Sequence, residues 1–445
     1  MGEFDLLKAI EKGEIHEVEV AWADHQGYPR GKRIPSDIFV ARLDKGIAFA
    51  DATLTWDYAG DVLDGCRVSG WETGYPDFFV IPDVTTAKRL PWREGVAIVQ
   101  GDVKDHHGDL IKYAPRSVLK RVVERLAGLG YTASIGAEIE FYLVDENAQP
   151  IADGIQCYSL AKANDMEPAF SELLDGLRGF VEVEGSNVEY GPAQCEVNLN
   201  HGDPVWAADQ AFRMKYGIRE VARRHGVVAT FMAKPFNVMS GCSMHLHVSL
   251  WKDGKNQFAP VDGAESPLAR QAIGGMMEHL AGIALPGAPT VNSYKRFEYG
   301  SFAPTTATWS RDNRTCAIRS LIESENSTRV ELRTGASDAN PYWAIAGLLA
   351  AVCAGIESGA DPGEVMSGNL YDSGTPLPTT LEASIAAFRA DSVIQEILDP
   401  DVCNDLCVIS EREWQAFVSA VTQWDYDRYL LSLIHISEPT RRYAI

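Results

Sequence analysis

Ser134-Ile-Gly-Ala-Glu-Ile-Glu-Phe-Tyr-Leu143 is the stretch on which the fold turns. Side chains alternate across a strand, so Ile135, Ala137, Ile139, Phe141 and Leu143 share an apolar face while Glu138 and Glu140 stand together on the other. Three further stretches repeat the pattern. In Gln194-Cys-Glu-Val-Asn-Leu-Asn200 the polar face is Gln194, Glu196, Asn198 and Asn200. Ser243-Met-His-Leu-His-Val-Ser249 sets Ser243, His245, His247 and Ser249 against Met244, Leu246 and Val248. Arg329-Val-Glu-Leu-Arg333 sets Arg329, Glu331 and Arg333 against Val330 and Leu332. One such strand reads as half-solvated sheet; four of them, rich in Glu, His and Arg, point to a shared site. Neighbouring carboxylates repel unless a cation lies between them. Several glutamate oxygens with an imidazole suit Mg²⁺ or Mn²⁺, and arginine forks beside them suit phosphate. The residues alone therefore describe a multi-metal site for phosphoryl transfer.

Around this core the chain divides in two. Residues 1–105 read as a small sheet-rich domain: a helix at Phe4–Lys12, a strand at His16–Ala23, and short strands at Gly46–Ala52, Asp77–Ile81 and Val96–Val103. Asp105–Lys112 is a polar connector, and Pro115 opens a helix with Val118, Val122, Leu126 and Leu129 on one stripe. Residues 106–430 form the second, larger domain. The apolar run Ala344–Ile356 is too short to span a bilayer and reads as a buried helix. With 445 residues and a net charge of −22, the chain is expected to bind neither nucleic acid nor anionic membrane through a general basic surface. Eight cysteines without a CxxC pair, and an acidic N-terminus unlike a signal peptide, lead to the expectation of a soluble, cytoplasmic protein with reduced thiols. Leu431–Arg441, LSLIHISEPTR, resembles a translated sequencing adapter, so residues 431–445 are expected to be a non-native tail.

Taken together and in order, the segments GAEIEFYLV, VEYGPAQCEVNL, KPF followed by SMHLHVSL, NSYKRF, RDNRTCAIR, TRVELR and NPYWAIAGLLA resemble the glutamine synthetase family, type I. The resemblance covers nearly the whole chain to Leu430. It implies an α+β fold, with an N-terminal β-grasp domain and a catalytic funnel of antiparallel strands flanked by helices. It also implies a homo-oligomer, a double-ring dodecamer with sites between subunits. Carried over by motif, Glu140, Glu189 and Glu196 hold one metal, and Glu138, His245 and Glu331 the other, with two or three Mg²⁺ or Mn²⁺ ions per site. Glu184, His247, Ser249 and Arg329 fall where the family binds ATP, and Arg314 and Arg319 match its phosphate-contacting arginines. Arg296 and Gly241 belong to the glutamate site, and Arg333 lies beside the reacting group. Asp51, supported by Asp77, matches an aspartate that reaches a neighbouring subunit's amine pocket. The implied activity is an ATP-dependent glutamate–amine ligase that works through γ-glutamyl phosphate.

The flap segment Glu298-Tyr-Gly-Ser-Phe-Ala-Pro304 departs from glutamine synthetase itself. Phe302 occupies the position of a glutamate that closes the ammonium site, and it offers neither negative charge nor acceptor. An alkylammonium, with a pKa near ~10 like that of lysine, needs a base, whereas an arylamine is already neutral. Together with Trp309-Ser-Arg-Asp-Asn-Arg314, this favours a γ-glutamylamide ligase whose amine is small and hydrophobic or aromatic. Three other readings are weighed beside it: Glu298 replacing the missing carboxylate, a true glutamine synthetase using ammonium, and a non-catalytic family member. Ser240 stands where the family has an asparagine. Tyr371, in NLYD, matches a tyrosine that some relatives adenylylate, and is read here as a structural loop residue.

Overall fold

The computed structural model describes residues 4–155 and 157–430; the expected tail at 431–445 lies outside the described residues. The first sheet is built from β1 (Glu17–Ala23), β2 (Pro29–Pro35), β3 (Ile47–Ala50), β4 (Asp77–Pro82) and β5 (Val96–Lys104), in the order β2-β1-β5-β4-β3. Only β1 and β5 run parallel. A short helix, α1 (Leu6–Glu11), precedes it, capped by the Asp5 carboxylate on the Lys8 N–H. Strand β2 is absent from the expectation because its sequence, Pro-Arg-Gly-Lys-Arg-Ile-Pro, lacks alternation. As an edge strand bounded by prolines and rich in cations, it resists pairing with another sheet. Asp51 leaves β3 early and begins a 3₁₀ turn, Asp51–Leu54.

The helix α2 (Pro115–Gly128) buries Val118, Val122 and Leu126, as its periodicity requires. The second sheet follows, with β6 (Thr132–Val144), β7 (Val183–Val188), β8 (Gln194–Leu199), β9 (Val228–Thr230) and β10 (Met244–Lys252). It is completed by β11 (Trp309–Arg311), β12 (Ile318–Leu321) and β13 (Arg329–Leu332), in the order β11-β12-β13-β10-β6-β8-β7, with β9 on the far end of β6. Every pair on this path is antiparallel except β11–β12. Helices α3 (Pro204–Arg224) and α4 (Pro267–His279) pack on it, α5 (Pro341–Ser358) packs on both of them, and α6 (Pro400–Ser419) lies farther out, its Asp405 accepting from the Arg67 and Val68 N–H groups.

Helix α5 is long and apolar enough to cross a membrane on length and composition alone, yet 83% of it is buried inside the protein. It is a core helix, as its sequence suggests. It crosses α4 so closely that a Cβ on Gly275 would lie 2.2 Å from the Ala351 carbonyl oxygen. Its first turn is capped by Asn340, whose Oδ1 accepts the Tyr342 N–H while its Nδ2 donates to the Asp24 carbonyl after β1. A buried polar knot joins the first sheet to helices α2, α3 and α5. Arg116 of α2 donates to Asp209 of α3 and reaches Asp83 and Asp102 beside the first sheet. Gln100 of β5 donates to Asp209 and to the Tyr342 hydroxyl. Each buried carboxylate or amide thereby finds a partner, which burial demands. All eight cysteines are free.

Candidate active site

Strand register brings the four charged faces together. His245 pairs with Glu138, His247 with Glu331, Glu140 with Glu196, and Arg319 with Glu331 across adjacent strands. Glu138, His245 and Glu331 offer ligand atoms within 4.8 Å of one another, as expected for one metal. Glu140 and Glu196 form a second such group, completed by His245. Glu189, expected in that second set, lies just outside it, because its carboxylate is turned to accept from Asn187 Nδ2 at 2.8 Å in the β7–β8 turn. It remains close enough for its charge to raise Glu140.

The electrostatics of these groups fit a cation. Burial first, then repulsion from Glu189, pushes Glu140 up to about 8. Burial, then repulsion from Glu140, Glu138 and Glu189, pushes Glu196 up to about 9. Such carboxylates are stable as anions only with positive charge beside them. Burial pushes Glu138 up as well, but bonds from His245 and His247 outweigh it and hold Glu138 ionised. Glu331, opposed by its own burial, is brought down to about 2 by Arg333, His245 and His247. Burial also lowers His245, which leaves a neutral imidazole with an unpartnered Nε2, the form that ligates a metal.

Arginines ring the cluster. Arg319 Nη1 lies 3.0 Å from one Glu331 oxygen and Arg333 Nη1 2.6 Å from the other. Arg319 also binds Asp312, the aspartate of the Trp309–Arg314 motif. Arg314 is exposed and influences Glu189 through its charge. Arg296 is fully buried, with one nitrogen on the Thr334 and Gly335 carbonyls, while its Nε and Nη1 meet no protein acceptor. Two unsatisfied guanidinium donors beside buried carboxylates are a receptor for an anion. Gly241 lies directly against this arginine: a Cβ there would stand 2.7 Å from Arg296 Cβ.

Glu184, His247, Ser249 and Arg329 all line one cavity of about 450 Å³ that adjoins Glu138. Arg329 Nε donates to His247 Nδ1 at 3.3 Å, and His247 Nε2 lies 3.0 Å from Glu138. The nucleotide residues expected from the motifs therefore converge on one space at the edge of the metal cluster. Asp51 and Asp77 do not join it. Asp77 begins β4 opposite Ala50, and Asp51 opens the 3₁₀ turn after β3, where it is buried with one oxygen unpartnered.

At the flap, Phe302 is 42% exposed and its ring stacks on Tyr190 at 5.8 Å. Glu298 is turned away to an ion pair with Lys234 at 3.1 Å. Ser240 takes part through its backbone, accepting from the Tyr142 hydroxyl at 2.8 Å. Two supporting residues have no role assigned by the sequence. Gln194 donates to both Glu140 and the Gly241 carbonyl, and Tyr190 packs on the flap. Strand alternation places Gln194 on the polar face but not its partners; Tyr190, in a turn, leaves no such periodic signal.

Fold and site together define a ligase. Residues 112–429 match the glutamine synthetase catalytic domain. The chain is 34% identical over 443 residues to the γ-glutamylethanolamide synthetase GlnA4 of Streptomyces coelicolor, covering 96% of this chain and 95% of that one. It is 32% identical to the glutamate–isopropylamine ligase of a Pseudomonas species (95% and 96%) and 35% identical to the glutamine synthetase of Halobacterium salinarum (96% of each). Among solved structures, a GmaS/ADP complex superposes with a TM-score of 0.86 at 28% identity, covering 96% of this chain and 99% of that one. The chain belongs to the glutamine synthetase family.

Proposed function

We propose that this ligase joins the γ-carboxylate of glutamate to a small hydrophobic or aromatic amine, using ATP. The observation that carries the reading is the flap: Phe302 stands where a carboxylate would receive ammonium, and Glu298 is engaged by Lys234. The names of two relatives, an ethanolamide synthetase and an isopropylamine ligase, support an organic amine in place of ammonium.

Arg296, with Nε and Nη1 unpartnered, receives the α-carboxylate of glutamate, and Gly241 leaves it room. ATP lies in the cavity lined by Glu184, His247, Ser249 and Arg329. Glu138, His245 and Glu331 hold one Mg²⁺ or Mn²⁺, and Glu140 and Glu196, with Glu189 nearby, a second; when bound, these ions offset the charge of the phosphates and the substrate carboxylate. The γ-carboxylate oxygen attacks the terminal phosphorus of ATP, ADP leaves, and γ-glutamyl phosphate forms. Arg314, Arg319 and Arg333 stabilise the charge spread over the transferring oxygens. The amine nitrogen then attacks the acyl carbon, phosphate departs with the bonding pair, and the proton lost from the nitrogen passes to the departing phosphate. An arylamine is neutral at pH 7 and needs no base beforehand, which suits a pocket walled by Phe302.

We further infer a ring-shaped homo-oligomer, a dodecamer, in the cytoplasm. What supports it is the placing of Asp51 and Asp77 at the β3–β4 end of the first sheet, outside their own chain's cluster of Glu138, Glu140, Glu196 and Glu331, with one Asp51 oxygen unpartnered. Phosphate release measured with glutamate, ATP, magnesium and a panel of amines tests the central reading. A hydrophobic or aromatic amine should give the highest kcat/KM; preference for ammonium would overturn it in favour of a true glutamine synthetase.

A further inference from the structure

The flap is gathered around one hydroxyl. Tyr371 is buried, and its Oη accepts the Phe302 N–H. The carbonyl of the same residue accepts from Arg333 Nη2 at 3.3 Å, and Arg333 in turn grips Glu331. Both polar groups of Phe302 are thus held, and the residue sits at φ +59°, a left-handed conformation that an aromatic side chain rarely adopts. Such a backbone persists only where its surroundings over-determine it.

The segment that carries Tyr371 is itself anchored to the flap's far end. Thr305 Oγ1 donates to the Tyr371 carbonyl and Thr306 Oγ1 to that of Leu370. Residues Thr306–Ala307 pair antiparallel with Thr375–Pro376. Asn369 Nδ2 donates to the Tyr299 hydroxyl, and the Tyr299 ring lies 5.1 Å from that of Tyr371. The hydroxyl therefore sits on a rigid support, with Phe302 and its stacking partner Tyr190 as its outward end.

We propose that Tyr371 is a positioning residue for amine selection: by accepting the Phe302 N–H it fixes the left-handed flap and keeps the Phe302 ring against Tyr190, the apolar wall that the amine's substituent meets. The inference rests on the reading above that Phe302 faces the amine, and it gives Tyr371 a role that needs no covalent modification.

Tyr371→Phe removes the hydroxyl and keeps the ring. In the full-length enzyme, with glutamate, ATP and magnesium, KM for the best amine of the panel should rise about three- to tenfold, the effect of one lost hydrogen bond. Phosphate release without any amine should rise too, as water reaches the acyl phosphate, while KM for glutamate stays unchanged. A merely structural role would instead lower kcat for every nucleophile alike and leave their ranking intact; that result, or an unchanged amine KM, overturns the proposal. The double variant with Phe302→Ala adds an independent arm. If Tyr371 acts through Phe302, Y371F adds nothing to F302A, whereas full additivity of the two overturns it. Should the wild-type enzyme prefer ammonium, the substrate reading fails by itself, and the amine-independent phosphate release and the double variant still decide the role of Tyr371.

Discussion

Glu140 and Glu196 show how single residues acquire chemistry from their position. Burial and repulsion from neighbouring glutamates raise them to about 8 and about 9, so the metal-free protein holds protons there at neutral pH. A cation must displace those protons. Affinity for Mg²⁺ or Mn²⁺ is therefore expected to climb as pH rises from 6 through these two values and to level off above them. Titration calorimetry across that range, in buffers of different ionisation enthalpy, would count the released protons; a flat profile contradicts the assignment. Folding stability of the metal-free protein follows the same linkage. A carboxylate raised above its unfolded value contributes stability below about 4.5 that is lost as pH climbs through the raised value. Phe302 supplies the second residue-scale test. Phe302→Glu restores a charge and an acceptor at the flap, and kcat/KM for ammonium should rise at least about tenfold, with a fall for hydrophobic amines. Phosphate-release kinetics with both nucleophiles would check it.

Among the elements, strands and helices differ in how much of their role can be read along the chain. The alternation in β6, β8, β10 and β13 is local and states which side chains share a face. The edge strand β2 has no alternation, because its solvent side and its prolines are set by its place at the sheet margin. The α4–α5 contact is equally silent in sequence: Gly275 and Gly355 read as weak helix formers until they meet. A Cβ on Gly275 would stand 2.2 Å from the Ala351 carbonyl oxygen and 2.5 Å from Gly355 Cα. Gly275→Ala should thus force the helices apart and cost about 1–3 kcal/mol, despite alanine's better helix propensity. A lower urea midpoint is expected; an unchanged or higher one would show that the crossing can relax.

Across the whole molecule, the first sheet is held to the helices of the larger domain by the knot of Arg116, Asp209, Asp83, Asp102 and Gln100. Arg116→Leu removes the cation and leaves the buried Asp209 facing Gln100 and Tyr342 without it. A loss of about 3–5 kcal/mol is expected, the usual consequence of stranding one member of a buried pair. Chemical denaturation would measure it. Carboxylate–metal affinity at pH 8 should be little altered in the fraction that stays folded, since the knot touches none of the metal cluster.

The sequence by itself determined which residues could form the site. Period-two alternation is a property of the strand backbone, so Glu138 and Glu140, or His245 and His247, share a face whatever the rest of the chain does. The ordered motifs extended this to the family and to the residues proposed for nucleotide and phosphate. Only tertiary structure decided how those faces meet, because register between distant strands depends on long-range packing. It set His245 between two carboxylate groups and turned Glu189 towards Asn187. It also gave Glu298 to Lys234 and placed the Tyr371 hydroxyl under Phe302. Each of these outcomes joins residues remote in sequence or hidden in turns, where no local period carries the information.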